Sequence, residues 1–135
     1  MKTTPRSKAL KTLQKLVRLK ASDDNGYCAC ITCGKLDKWH SMDGGHFISK
    51  GHSSYWSLRE ENIHPQCKGC NGWGMTYGTS QIAYTRWMID FYGEDFVDEM
   101  IETKRHPIKY YKKDYLDMIK EWNEQITYHL QRIGH

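Results

Sequence analysis

Apolar residues recur along this chain with changing spacing, and each change predicts a new element. From Ser7 to about Ala21, Leu10, Leu13 and Val17 fall three and four apart, with Leu16 widening the stripe; this is the period of an amphipathic helix. Asp23-Asp24-Asn25-Gly26 is turn chemistry and ends it. From there the helical period disappears. Tyr27 to Gly34 reads as a tight Cys-x-x-Cys loop, Trp39 to about Ser49 as a β-hairpin interrupted at Gly44-Gly45, and Lys50 to Arg59 as loop. Pro65 pre-sets the entry to a helix with Cys67, Cys70 and Asn71 in its first turn, and residues 72–78 read as flexible connection. Helical spacing returns at Thr79 or Ser80 and runs to Tyr92, with Ile82, Trp87, Met88 and Phe91 expected inside and Gly93 as the stop. A short helix from about Glu94 to Lys104 is expected to bury Phe96, Val97, Met100 and Ile101 before Pro107 breaks it.

The last helix, from about Lys112 to Ile133, carries Leu116, Ile119, Asn123, Ile126, Leu130 and Ile133 at steps of 3-4-3-4-3. Such a seam fits a coiled coil between two copies, with Asn123 setting the register, and fits equally well packing on helices of the same chain. A homodimer is therefore open. The pattern as a whole predicts an α+β, mainly α fold in a single compact domain. Its parts are a basic helix (1–26), a ββ-helix core holding a metal (27–77) and a helical region (78–135).

Only 39% of the 135 residues are hydrophobic, so the core is small, and a metal bound only in the folded state would add to its stability. No apolar run approaches the roughly 20 residues of a membrane span. The N-terminus lacks the apolar stretch of a secretory signal, which predicts a soluble, intracellular protein with no membrane partner. In a reducing compartment five cysteines read as thiolates rather than disulfides. Cys30-x-x-Cys33 and Cys67-x-x-Cys70 supply the four ligands of a tetrahedral zinc; Cys28 is expected to face away from Cys30 as a free thiol.

The formal charge of +4 falls to roughly +2 once four thiolates and one zinc are counted, so distribution says more than the total. Lys2, Arg6, Lys8, Lys11, Lys15, Arg18 and Lys20 share residues 1–22 with no acid, while 90–102 is acidic. The basic helix is either a solvated face on a packing helix or a phosphate-contacting one.

Between the two cysteine pairs lie Asp43-Gly-Gly-His46-Phe and Glu61-Asn62-Ile-His64-Pro-Gln, rich in groups that handle protons and metals. A zinc that only held a fold together would not need them. An unperturbed imidazole, with a pKa of about 6.5, suits deprotonation of water. The amide oxygen of Asn71 can ligate Mg²⁺, or its side chain can cap the helix.

The run Cys-x-x-Cys, Gly45-His46-Phe47, Glu61-Asn62-Ile63-His64-Pro65-Gln66-Cys-x-x-Cys-Asn71 resembles the His-Me finger (HNH) nucleases, most of all the phage NinG/Rap recombination endonucleases, which cut branched DNA. The similarity covers roughly residues 27–105 and includes Gly78…Tyr84-x-Arg86…Ile89…Gly93…Val97. The zinc-plus-Asn arrangement also looks like phage endonuclease VII, a junction resolvase. The resemblance implies a zinc-stapled ββα-metal core with flanking helices, structural Zn²⁺, catalytic Mg²⁺ (or Mn²⁺), and a host cytoplasmic enzyme working with recombination proteins. It assigns His46 as general base and Asn71 as Mg²⁺ ligand, and gives Asn62 the task of tying loop to hairpin. His64 is left either orienting phosphate or packing.

Position 45 departs from the family pattern. Most of the superfamily has Asp immediately before the base; here it is glycine, and the nearest carboxylate is Asp43, on the same strand face but about 6.6 Å along it unless a bulge shortens the reach. Asp43 is thus one candidate for second Mg²⁺ ligand; the rival is Asn71 with substrate oxygen and water alone. Lys11, Lys15, Arg18, Lys50, Arg59 and Lys68 are candidate phosphate contacts. The expected reaction is in-line hydrolysis to 3′-hydroxyl and 5′-phosphate ends. Rival functions are an HNH nuclease nicking ordinary DNA without shape preference, and a non-catalytic zinc-knuckle DNA-binding module.

Overall fold

The computed structural model describes residues 3–51 and 53–134, so Lys2 of the basic segment lies outside the described residues. The fold is α+β and mainly helical, with two small antiparallel sheets. Helix α1 (Pro5–Lys20) starts at a capping box. The Thr4 hydroxyl accepts from the Ser7 amide and the Ser7 hydroxyl accepts from the Thr4 amide, each at 3.1 Å, and Pro5 occupies the first turn. Its buried face is Ala9, Leu13, Leu16, Val17 and Leu19, wider than the expected stripe.

That face packs on helix α4 (Lys112–Ile133). Ile126 and Ile133 join Leu13, Leu16, Val17 and Leu19 in one cluster, and Ile119 joins Ala9 and Leu58 in another. The seam read from the sequence is therefore spent inside the chain. Asn123 and Leu116 are exposed, so Asn123 sets no coiled-coil register. Arg132 locks the two helices by donating to the carbonyls of Leu19 (3.1 Å) and Ser22 (2.9 Å) at the end of α1, and pairs with Asp24 at 2.8 Å.

Strands β1 (Tyr27–Ala29) and β2 (Leu36–Lys38) flank the first cysteine loop. The expected hairpin within Trp39–Ser49 does not form. Strand β3 (Asp43–His46) pairs instead with the distant β4 (Ile63–Gln66), in the register Asp43↔Gln66, Gly44↔Pro65, Gly45↔His64 and His46↔Ile63. This one-to-one register leaves no bulge at the glycines. Pro65 lies within β4 rather than at a helix start, a position open to proline in a two-stranded ladder with free edges. The cysteine-bearing helix begins after Cys67 and runs over residues 68–76, with a π-helical turn at Cys70–Gly74, so it continues through part of the 72–78 stretch expected as flexible connection.

Gly44 and Gly45 form strand, not turn, because both strand faces are approached too closely for a side chain. A Cβ on Gly44 would lie 2.9 Å from Gln14 Cβ and 3.0 Å from its Cα. A Cβ on Gly45 would collide with the Gln66 side chain and lie 2.8 Å from Asn71 Oδ1. So α1 seats directly on one face of β3 and the helix over 68–76 covers the other.

Helices α2 (Ser80–Tyr92) and α3 (Glu94–Glu102) cover the aromatic side of the core. Met88, Val97 and Met100 are buried as expected, but Ile82, Phe91 and Ile101 are exposed and Tyr84 is fully buried in their stead. Tyr84 tolerates this because its hydroxyl donates to the Gly45 carbonyl at 2.8 Å, satisfying its polar tip.

Gly44→Ala should destabilise the protein by about 1–3 kcal/mol in urea unfolding, since the neighbour in the way is helix backbone. Gly69→Ala, where no atom lies within 4 Å and the backbone is helical, should be neutral or stabilising by up to about 1 kcal/mol in the same measurement.

Candidate functional site

The turn between β1 and β2 and the exit from β4 bring four sulfurs together. The Sγ atoms of Cys30, Cys33, Cys67 and Cys70 all lie within 4.8 Å of one another, and Cys33 to Cys67 is 3.8 Å. A tetrahedron with Zn–S bonds of about 2.3 Å has edges of roughly 3.8 Å, so this cluster could hold zinc. Its electrostatics suit a cation. Burial raises the Cys30 thiol, but hydrogen bonds from the Thr32 hydroxyl and nearby amides outweigh it and bring it down to about 6. Cys33 has the Lys35 amide favouring its thiolate, yet burial and the sulfurs beside it push it up to about 12. Four anions crowd here only if a positive ion joins them. Cys28 stands outside the cluster; it does not face away from Cys30, since both are buried in one apolar group with Met42, as i and i+2 of an extended segment should be.

His46 ends β3. Its Nε2 lies 3.0 Å from the Ser57 carbonyl oxygen, which only accepts, so Nε2 carries the proton and the neutral ring keeps its lone pair on Nδ1. Burial brings the pKa down to about 4; the Ser57 carbonyl opposes this, and Lys50 and Arg6 reinforce it. Asn62, fully buried before β4, accepts from the Ile48 amide at 2.7 Å and donates to the Ile48 carbonyl at 2.9 Å. That pair of hydrogen bonds pins the chain just beyond His46.

His46 and Asn71 both line an open cleft of ≈ 310 Å³, shared with Gln14, Gly44, Lys50 and Met75 among others. Asn71 donates through Nδ2 to Asp43 Oδ2 at 3.1 Å, which turns its Oδ1 toward Gly45. Asp43 also pairs with Lys68 at 2.7 Å. Burial raises the Asp43 carboxyl, but the bonds from Lys68 and Asn71 more than offset this and hold it below the usual range. The side chain of Asp43 thus meets Asn71 without any bulge in the strand.

His64 is not in this cleft. It is buried against Trp87, with Nδ1 3.0 Å from the Tyr84 hydroxyl and Nε2 2.8 Å from the Tyr92 hydroxyl. Tyr84 spends its proton on Gly45, so it accepts from Nδ1, and Tyr92 donates to Nε2. Burial brings this imidazole down to about 3. Its hydroxyl partners join β4 to α2, away from the cleft that His46 and Asn71 line.

Residues 1–132 match the family model described as Bacteriophage Lambda NinG protein. The chain belongs to the NinG family. Neither curated proteins nor solved structures give a match.

In this NinG-family chain the six basic candidates separate. Lys50 lines the cleft, and Lys11 is exposed on α1. Lys68 is engaged with Asp43, and Lys15 lies 5.8 Å over the Trp39 ring. Arg18 is a structural residue: it donates to the Met42 carbonyl at 3.0 Å and stacks on Trp39. Arg59 is away from the cleft, beside Tyr55 and Glu61. Arg6 and Gln14 went unremarked in the sequence as site residues. Arg6 donates to Ser57 Oγ at 2.9 Å, and Gln14 donates to the Gly44 carbonyl at 3.1 Å. Nothing in their local sequence marks them; only the seating of α1 on β3 brings them there. Among the described residues no helix is long and apolar enough to cross a membrane.

Purified protein should carry about one zinc per chain. Cys33→Ser or Cys70→Ala should lose both zinc and helicity, read by metal analysis and far-UV circular dichroism; a well-folded, metal-free variant would contradict the structural role.

Proposed function

We propose that this NinG-family chain is a Mg²⁺-dependent DNA endonuclease of the His-Me finger type, selective for branched recombination intermediates such as Holliday junctions or D-loops. One observation carries the reading: a neutral imidazole with its Nε2 proton fixed, and an amide oxygen oriented by a carboxylate, line the same cleft. The ladder β3-β4 followed by the helix over 68–76 is a ββα arrangement around that cleft, which supports the fold-level likeness. The donor set fits a hard cation, since Asn71 Oδ1 and the Asp43 carboxylate are oxygen ligands. When bound, Mg²⁺ (or Mn²⁺) supplies positive charge for the scissile phosphate and the leaving 3′-oxygen.

The chain's own residues do the rest. His46 takes the proton of the attacking water at Nδ1, while the Ser57 carbonyl holds Nε2–H and steadies the imidazolium that results. Asn62 keeps the backbone after His46 from moving, so the base stays in line with the phosphate. Lys50, at the rim, is placed to meet backbone phosphate, and Lys11 extends that surface along α1. A zinc held by four thiolates keeps no open position and acts only on the fold. The products are 3′-hydroxyl and 5′-phosphate ends. A binding knuckle without catalysis would need neither the fixed imidazole nor the oriented amide.

His46→Ala should lower cleavage of a synthetic four-way junction by about 10²–10⁴-fold with Mg²⁺ present, while junction binding persists. Equal cutting by both proteins ends the general-base assignment, and cutting of linear duplex, plasmid and junction alike favours an unselective nicking enzyme. Because His46 loses its lone pair only as pH falls through about 4, kcat/KM should be flat from neutrality to about pH 5 and drop below it; an acidic limb near 6.5 would show a base in an ordinary environment. Lys11→Glu and Lys50→Glu should weaken binding to all DNA shapes and each reduce the salt slope by about one.

A further inference from the structure

Gln66 closes β4 as the cross-strand partner of Asp43, and its side chain is fully buried. Its Oε1 has no hydrogen-bond partner. The NH₂ of that amide faces the loop of the neighbouring sulfur site. Gln66 Nε2 donates to the Thr32 hydroxyl at a long 3.5 Å, and that hydroxyl lies 3.1 Å from the Cys30 sulfur. With NH₂ toward Thr32, Oε1 turns the other way, over Gly45.

Asn71 Oδ1 turns to the same place. A Cβ on Gly45 would overlap Gln66 Oε1 and sit 2.8 Å from Asn71 Oδ1, so the two amide oxygens converge above the bare glycine. Neither has a proton to give, and the Asn71 Nδ2 that might have served is committed to Asp43. Two neutral oxygens and one carboxylate, on adjoining strands and the helix over them, are a donor set for a hard divalent cation.

We propose that Gln66 is a ligand of the catalytic divalent cation, its Oε1 joining Asn71 Oδ1 over Gly45 with the Asp43 carboxylate alongside. The proposal rests on the nuclease reading above and deepens it. Glycine at 45 leaves the space that the Gln66 amide fills from the neighbouring strand. Through the Thr32 hydroxyl this ligand adjoins the cysteine cluster.

The test is Mn²⁺ binding, followed by electron paramagnetic resonance on zinc-loaded full-length protein at neutral pH, without DNA and with an uncleavable junction. Gln66→Met should weaken Mn²⁺ binding by about 10–100-fold while zinc content and circular dichroism stay as in wild type. Gln66→Glu, which adds charge at the same point, should tighten it about 10-fold. Gly45→Asp combined with Gln66→Ala should recover affinity that Gln66→Ala loses. A folded, zinc-replete Gln66→Met that binds Mn²⁺ like wild type overturns this inference and leaves the nuclease reading standing; the buried oxygen then holds water. Should Gln66→Met lose zinc, Gln66→Glu decides, and unchanged affinity there overturns the proposal. Wild-type protein that binds no Mn²⁺ with or without the junction removes the inference and the catalytic-metal reading together.

Discussion

Strand β3 has no space on either side at its two glycines, and the rest of the molecule is arranged around that closeness. On one face the backbone of Gln14 comes within 3.0 Å of where a Gly44 side chain would begin; on the other, Gln66 and Asn71 occupy the place of a Gly45 side chain. Two helices are thereby pressed onto a strand only four residues long. His46, the first residue past the glycines, inherits its position from both contacts. It lines a cleft together with Asn71 of the helix over 68–76 and Gln14 of α1.

The sulfur cluster closes the third side. It joins the β1–β2 turn to the chain leaving β4, so the helix over 68–76 cannot drift from the strand it covers. The Ile31 amide donates to the Pro65 carbonyl at 3.0 Å and binds the same two pieces through backbone. Electrostatics at the two centres run in opposite directions. At the sulfurs, crowding opposes ionisation of Cys33 and Cys67 until a cation joins them; at His46 and His64, burial excludes charge and keeps both imidazoles neutral. His46 lines the cleft that Asn71 shares, whereas His64 lines a separate cavity with Trp87, Phe91 and Tyr92. The Tyr84 hydroxyl links the two histidines' strands, accepting from His64 and donating to Gly45.

The N-terminal helix illustrates how one element serves twice. Its basic residues suggested a surface for phosphate, but its apolar face forms a core cluster with α4, and Arg18 is committed to holding Met42. Lys11 is left free for solvent-side work because it lies opposite the buried stripe. The long seam of α4 is absorbed in the same way: isoleucines at 119, 126 and 133 meet α1, and the polar position 123 faces out.

What the sequence determined by itself was local or chemically stereotyped. The helix periods of α1, α3 and α4 follow from short-range spacing, and the cysteine pairs declare themselves by separation alone, since each Cys-x-x-Cys loop presents two sulfurs whatever surrounds it. That Asn62 ties its loop to the chain after β3 was also legible, through its place in a motif. The tertiary structure decided everything that depends on which distant segments touch. Strand β3 pairs across residues 47–62 rather than with its neighbour, because α1 and the cysteine-bearing helix need glycine beneath them, and no local preference encodes that. The burial of Tyr84 in place of Phe91, the removal of His64 from the site and the orphaned oxygen of Gln66 are likewise matters of partner geometry. A side chain's type is written in the chain, but whether its polar atoms find a donor is settled only when remote backbone and side chains close around it.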